Sequence, residues 1–202
     1  MLALCSATLV QGVARATIPI RPGDTIIEGG NRCTLGYVFR RSGSTMGLTA
    51  GHCQPSVDAQ ITDRDAGIAG FSVGVSPEFS LRQDWQLIDF GDVAWSQNIR
   101  STNYEANARG VVTFGQEMCH YGVGSGATSC GTTISSDGAT IAVAARSAAG
   151  DSGGPCFVRT GGHEVAIVGL WHGHDAEIAD MGFCVDVNAA LRAFQGGRYG
   201  YA

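Results

Sequence analysis

The chain carries a serine flanked by glycines and, about a hundred residues earlier, a histidine in a short apolar segment. Ser152 lies within Gly150–Pro155, and His52 lies within Leu48–Cys53. Serine is a weak nucleophile at neutral pH, so acyl transfer needs an imidazole base, a carboxylate that orients the imidazole, and N–H donors for the oxyanion. We predict that Ser152 is the nucleophile, that His52 is the base, and that the amides of Gly150 and Ser152 form the oxyanion hole.

These segments resemble the active-site segments of the chymotrypsin-like serine proteases, and in particular their secreted bacterial branch of the streptogrisin and alpha-lytic type. Residues 32–53 are similar in type and spacing to the opening of those enzymes, and residues 119–131 resemble their disulfide-closed glycine-rich loop. The resemblance covers roughly residues 27–195. It implies an all-β fold of two antiparallel six-stranded barrels with a short C-terminal helix, and the activity of a serine endopeptidase.

An aspartate between His52 and the second barrel should complete a Ser-His-Asp triad, and three are available. Asp84 begins a segment that resembles the family's Asp-aromatic-x-Leu-Ile pattern, 32 residues after His52. Asp92 fits a related pattern at a spacing of 40, and Asp89 lies between the two. We predict Asp84 as the triad acid, with Asp92 and Asp89 as the alternatives.

Composition favours a β protein and excludes some classes of partner. The 202 residues include 30 glycines, and short apolar runs rich in β-branched residues alternate with turn residues. The net charge of −5 comes without a cluster of Lys and Arg, which makes a nucleic-acid partner unexpected. No segment reaches the roughly 18 apolar residues of a membrane helix. We expect a monomer that binds a protein or peptide substrate and does not bind a membrane in its mature form.

The predicted organisation is a signal peptide, an extended segment, a first barrel, and a second barrel that ends in a helix, over residues 1–16, 17–30, 31–105 and 106–202. The first segment is apolar and ends in a small-x-small pattern, but no basic residue precedes it, so we expect a truncated signal peptide and a secreted protein. The helix is predicted over Val187–Phe194 with Asn188 as its N-cap.

Removal of the signal peptide would remove Cys5 and leave six cysteines, and an even number in a secreted chain indicates disulfides. The family resemblance implies two bridges, and elimination adds a third, so that the predicted pairs are Cys33–Cys53, Cys119–Cys130 and Cys156–Cys184. The third pair departs from the familiar bacterial pattern, which has a cysteine shortly before the nucleophile.

The segment Val168–His174 resembles the strand that pairs with the substrate backbone in this family. We therefore predict that substrate contacts Trp171, His172, Gly173 and His174, together with Arg146 ahead of the nucleophile. A cationic pocket wall would favour an acidic residue before the scissile bond. A preference for small or aromatic apolar residues stays equally open, and a basic preference is disfavoured because no aspartate stands at the pocket base.

Two residues are predicted to support the nucleophile segment. Asp151 needs a partner because an unpaired buried carboxylate is costly. His120 stands where the bacterial branch has an arginine, and we predict that it holds Asp151 as an imidazolium with a raised pKa.

The expected function is a secreted serine endopeptidase that needs no cofactor and has no metal site, although His172 and His174 could form a metal-binding pair. A catalytically latent binding protein of the same fold stays open, because His174 could obstruct the substrate strand. An esterase of another fold is disfavoured, because the order His, Asp, Ser differs from that of the elbow-type hydrolases.

Overall fold

The computed structural model describes residues 17–53, 56–174 and 180–195, which form two β-sheets, a 3-10 turn and one α-helix. The first sheet has seven antiparallel strands: β1 (Thr25–Glu28), β2 (Asn31–Thr34), β3 (Tyr37–Arg41), β4 (Ser44–Thr49), β5 (Gln60–Asp63), β6 (Ile68–Val75) and β7 (Gln86–Asp89). Their spatial order is β2-β1-β5-β6-β7-β4-β3. In β5 and β6 buried residues alternate with less buried ones, as expected for a sheet with one face in a core.

The second sheet also has seven strands: β8 (Glu105–Arg109), β9 (Glu117–Gly122), β10 (Ala127–Ser136), β11 (Thr140–Val143), β12 (Pro155–Gly161), β13 (Glu164–His174) and β14 (Gly182–Asp186). The order is β12-β9-β10-β11-β14-β13-β8, and β12 also pairs with β13. That additional pairing closes six strands into a ring, whereas β8 runs parallel to β13 outside it.

The all-β chymotrypsin-like fold with two barrel-like sheets and a short helix is confirmed, with differences in detail. The ring of the second sheet has the six strands that were predicted, with β8 added outside it, whereas the first sheet pairs seven strands. Strand β1 lies in the segment 17–30, which was predicted to be extended, and it pairs with β2 and β5, so the first sheet begins before residue 31. Strand β8 lies at the boundary predicted between the barrels. Residues 1–16, which carry the predicted signal peptide and Cys5, lie outside the described residues.

Each barrel has its own apolar interior, and a third cluster joins them. The joining cluster contains Leu48 and Trp85 from the first barrel, Phe157 and Ile167 from the second, and buried residues of the helix α1 (Val187–Gln195). Burying apolar surface between the sheets is what fixes one barrel against the other. Strand ends from both barrels therefore meet at one cleft.

The terminal helix begins one residue after its cap. Asp186 Oδ1 accepts a hydrogen bond from the amide of Ala189 at 2.7 Å, so Asp186 performs the N-cap role that was predicted for Asn188. Asn188 instead donates to the carbonyl oxygen of Gly110. Among the described residues this helix of nine residues is the only α-helix, and no described helix is long enough to cross a membrane.

All three predicted disulfides are confirmed: Cys33–Cys53, Cys119–Cys130 and Cys156–Cys184. The first ties β2 to the 3-10 turn Gly51–Cys53 that carries the predicted base. The third joins β12 to β14, the strands on either side of β13.

Candidate active site

Strand pairing brings the predicted base and acid together. Thr49, at the end of β4, pairs with Gln86, at the start of β7. Because these strands are antiparallel, the residues that follow β4 and precede β7 lie at the same edge of the sheet. His52 and Asp84 occupy those two positions, although 32 residues separate them.

Asp84 holds His52 through two hydrogen bonds. The backbone amide of His52 donates to Oδ1 of Asp84 at 2.8 Å, and His52 Nδ1 lies 2.6 Å from Oδ2. Asp84 is fully buried, and burial alone would raise its pKa. Hydrogen bonds from His172 and His52 outweigh burial and lower the pKa to about 2. The carboxylate is therefore ionised at neutral pH and requires the proton on Nδ1 of His52.

Ser152 faces the other nitrogen of the same imidazole. Its Oγ lies 2.9 Å from His52 Nε2. The turn that presents it needs glycine at Gly150 and Gly153, whose φ angles are +100° and +81°. A Cβ at Gly153 would also lie 2.0 Å from Thr49 Oγ1, so the turn packs directly on the first barrel.

Strand β2 anchors this turn from the first barrel. The amide of Thr34 donates to the carbonyl oxygen of Ser152 at 2.9 Å, and Thr34 Oγ1 donates to that of Gly150 at 2.8 Å. Within the described residues, the amides of Gly150 and Ser152 donate no hydrogen bond, whereas the amide of Asp151 between them donates to Ala148. Two unengaged N–H groups beside the serine are what an oxyanion hole requires.

The two alternative acids lie away from His52. Asp92 is exposed and forms an ion pair with Arg40 at 2.8 Å. Asp89 Oδ1 accepts from the amide of Gly91 in the turn after β7. Of the three candidates, the structure brings Asp84 to the imidazole.

The predicted ion pair between His120 and Asp151 is wrong. Asp151 is fully buried and accepts from the amide and hydroxyl of Ser125 and from the amide of Ala148. His120 Nε2 lies 2.7 Å from the carbonyl oxygen of Arg146 instead. Burial lowers the pKa of His120, so its imidazole is neutral where an imidazolium was predicted. Three hydrogen bonds from the chain satisfy the carboxylate without a cation.

A cleft of about 370 Å³ lies beside the serine. It contains four of the five residues predicted to contact substrate, and its lining consists of His52, Ser147, Ala148, Ala149, Ser152, Trp171, His172, Gly173 and His174. Arg146 is the exception. Its guanidinium is exposed and contacts Asp180 at 2.6 and 3.3 Å.

His172 makes a contact that sequence reasoning missed. Its Nδ1 lies 2.6 Å from Oδ2 of Asp84, and its ring meets that of His52 edge to face with 5.4 Å between centroids. The pairs Trp171↔Cys184 and Gly173↔Phe183 leave His172 unpaired in a bulge of β13. Bulges redirect side chains, which explains how His172 turns toward the acid. The family usually has serine near this position, and the histidine found here was the sequence signal that could have indicated a different role.

Among the residues that the structure describes, two groups of three side chains have potential metal-ligating atoms within 4.8 Å of one another. In the first, His52, Asp84 and His172, the nitrogen–oxygen distances of 2.6 Å are those of charge-assisted hydrogen bonds, so protons already join these atoms. In the second, Glu117, Cys119 and Cys130, the two sulfurs form a disulfide and offer no thiolate.

Solved bacterial serine proteases share the chymotrypsin-like fold of this chain. Protease A of Thermobifida fusca is 22% identical, with a TM-score of 0.70 over 88% of this chain and 97% of that chain. A glutamic acid specific serine protease that utilizes a histidine triad in substrate binding is 21% identical, with a TM-score of 0.72 over 87% and 98%. At these identities the likeness shows the fold.

The chain belongs to the same family as the uncharacterized protein Rv1815 of Mycobacterium tuberculosis (strain ATCC 25618 / H37Rv). The two are 31% identical over 207 residues, which cover 92% of this chain and 91% of that protein. No protein-family model matches the chain. Because the relative's name states no activity, family membership alone assigns none.

Proposed function

We propose that this protein is a serine endopeptidase that hydrolyses peptide bonds through an acyl-enzyme. One observation carries the proposal: a continuous line of hydrogen bonds runs from Asp84 Oδ2 through His52 to Ser152 Oγ, with distances of 2.6 and 2.9 Å. This is the connectivity that activates a serine hydroxyl.

In the acylation step, Ser152 Oγ forms a bond to the substrate carbonyl carbon while its proton moves to His52 Nε2. The oxyanion is held by the amides of Gly150 and Ser152. Asp84 stabilises the imidazolium that forms. His52 then gives its proton to the amide nitrogen as the carbon–nitrogen bond breaks, and the amine leaves.

In the deacylation step, water attacks the acyl carbon while His52 takes its proton. The bond between the acyl carbon and Ser152 Oγ breaks, and His52 returns the proton to the serine. These steps use only side chains and amides of this chain together with water.

The latent binding protein has less support than an active enzyme. The described contact of His174 is with Ser147 Oγ at 3.3 Å, and His52 remains within hydrogen-bonding distance of Ser152. We also propose that the protein is secreted, because three disulfides are typical of an oxidising compartment. N-terminal sequencing of protein recovered from culture medium should then begin at Thr17, after the predicted cleavage site.

Fluorophosphonate labelling tests the nucleophile directly. The full chain, folded under oxidising conditions, should be labelled at Ser152, and Ser152→Ala should abolish labelling while circular dichroism stays unchanged. Cleavage of an unfolded protein, followed by mass spectrometry of the products, tests endopeptidase activity. A folded protein that neither reacts with the probe nor cleaves would refute the proposal and favour the latent binding protein.

A further inference from the structure

We propose that Trp171 fills the specificity pocket and restricts cleavage to positions after small, uncharged side chains such as glycine, alanine and serine. The inference rests on the proposed function, because it assigns the substrate class of the same site. Segment 147–149 forms one wall of the cleft beside Ser152, and residues 171–174 form the other. The side chain of the residue whose carbonyl Ser152 attacks must enter between these walls.

The indole of Trp171 closes the floor of this cleft. Trp171 lines the cleft but is only 1% exposed, so almost none of its surface is left for a substrate. One face stacks on His120, with ring centroids 3.7 Å apart and an angle of 14° between the planes. Since His120 is itself buried and bonded to the carbonyl of Arg146, the indole rests on a fixed support.

The indole of Trp171 fits in this position because Gly182 has no side chain. A Cβ at this residue would lie 2.0 Å from Cη2 of Trp171, and Gly182 has no left-handed φ that would otherwise call for glycine. The volume that this glycine leaves open on β14 is therefore taken by the protein's own indole. A long substrate side chain would have to displace it from a close-packed interior.

The mouth of the cleft is narrow as well. Ser147 Oγ and His174 Nδ1 lie 3.3 Å apart, so a contact joins the two walls. The neighbouring wall residues Ala148 and Ala149 carry only methyl groups, so they offer a substrate no charged or hydrogen-bonding side chain.

Charge does not favour an acidic substrate residue, contrary to the prediction based on Arg146. That guanidinium already binds Asp180 and lies outside the cleft lining. The two histidines of the wall formed by residues 171–174 are already engaged, His172 with Asp84 and His174 with Ser147. A substrate carboxylate against the indole would therefore lose hydration without a free cation to pair with, which is costly. The geometry points to small neutral residues.

The test measures kcat/KM for peptides that differ only in the residue before the scissile bond: Ala, Phe, Leu, Glu or Lys. The wild-type enzyme should prefer Ala over each of the others by at least about 10-fold. Trp171→Val should raise kcat/KM for the Phe peptide relative to that for the Ala peptide by at least about 10-fold, because the substitution removes the indole from the floor of the cleft. Trp95→Val removes a partly buried indole from the first barrel and should leave the ratio unchanged.

If Trp171→Val does not fold, the exposed mouth provides a second variant. His174→Ala should raise kcat/KM for the Leu peptide relative to that for the Ala peptide by several-fold, because it opens the contact with Ser147 at the mouth. An enzyme whose Ser152 reacts with fluorophosphonate but which cleaves better after Phe, Leu, Glu or Lys overturns the pocket assignment and leaves the proposed function standing. Failure of wild-type labelling overturns both.

Discussion

The Nδ1 atom of His172 lies 2.6 Å from Oδ2 of Asp84, the same oxygen that accepts from His52. Asp84 belongs to the first barrel and His172 to β13 of the second, so this bond joins the barrels at the proposed triad. A buried carboxylate that accepts from two imidazoles is oriented more firmly than one held by His52 alone. We therefore predict that His172 is a positioning residue that acts through Asp84 in the proposed triad.

Replacing His172 should slow the chemical step. Hydrogen bonds to charged groups contribute about 1.5–3 kcal/mol, so His172→Ala should lower kcat roughly 10- to 100-fold with little change in KM. The pKa of Asp84 should rise, because a hydrogen bond that lowers it is lost. His172→Ser restores a donor and should recover part of kcat. Steady-state kinetics of both variants on one peptide would show this, and an unchanged kcat in His172→Ala would refute the role.

The proposed triad acid, Asp84, can be tested against Asp92, one of its two alternatives. Asp84→Asn should lower kcat by about 10⁴, because an amide cannot accept from Nδ1 of His52 in the same way and favours the wrong tautomer. Asp92→Asn is the matched control, since Asp92 is exposed on Arg40 and should leave kcat within about 2-fold. The assignment would fail if the Asp92 variant lost activity and the Asp84 variant kept it.

Glu28 should make the protein less stable as the pH rises. It is 1% exposed, and burial raises its pKa from 4.5 to about 8. Below pH 4.5 the carboxyl is protonated in both the folded and the unfolded protein, so folding does not bury a charge. Above that pH the unfolded chain releases the proton first, and this contribution to stability is lost as the pH rises to about 8.

Glu28→Gln should therefore have nearly the wild-type free energy of unfolding at pH 4 and a higher one at pH 8.5. Urea denaturation at a series of pH values measures the difference. The exposed Glu78→Gln is the control and should follow the wild-type curve. Parallel curves for Glu28→Gln and the wild type would mean that Glu28 ionises freely in the folded protein.

The bridge Cys156–Cys184 should stabilise more than Cys119–Cys130. The first bridge spans a sequence separation of 28 residues and the second one of 11. When each pair is replaced by alanine, chain entropy predicts that the free energy of unfolding falls by about 4 and about 3 kcal/mol, respectively. Cys184 also pairs with Trp171 across β14 and β13, so loss of the first bridge should loosen the cleft floor. Urea denaturation of the two double-alanine variants measures which bridge contributes more to stability. The ratio of kcat/KM for the Phe and Ala peptides is a second readout, which reports on the cleft floor.

Much of the site could be predicted because its chemistry is local in the chain. A glycine-flanked serine, a histidine followed by a cysteine and an aspartate at a familiar spacing predicted Ser152, His52 and Asp84. The family resemblance implied two of the cysteine pairs, and elimination gave the third. The partner of Asp151 could not be predicted in this way. Backbone amides and a serine hydroxyl satisfied that carboxylate, and such donors are present in every sequence and carry no recognisable pattern.

The sequence by itself determined the residues able to act as nucleophile, base and acid, because residue type and spacing indicate these directly. Its resemblance to the chymotrypsin-like serine proteases implied the fold class and two disulfide pairs, and elimination gave the third. Only the tertiary structure decided that His172 binds Asp84, that His120 stacks on Trp171, and that the indole occupies the space beside Gly182. The physical reason is strand register. A bulge in β13 and the packing of strands distant in the chain set where these side chains point, and neither follows from periodicity along one strand.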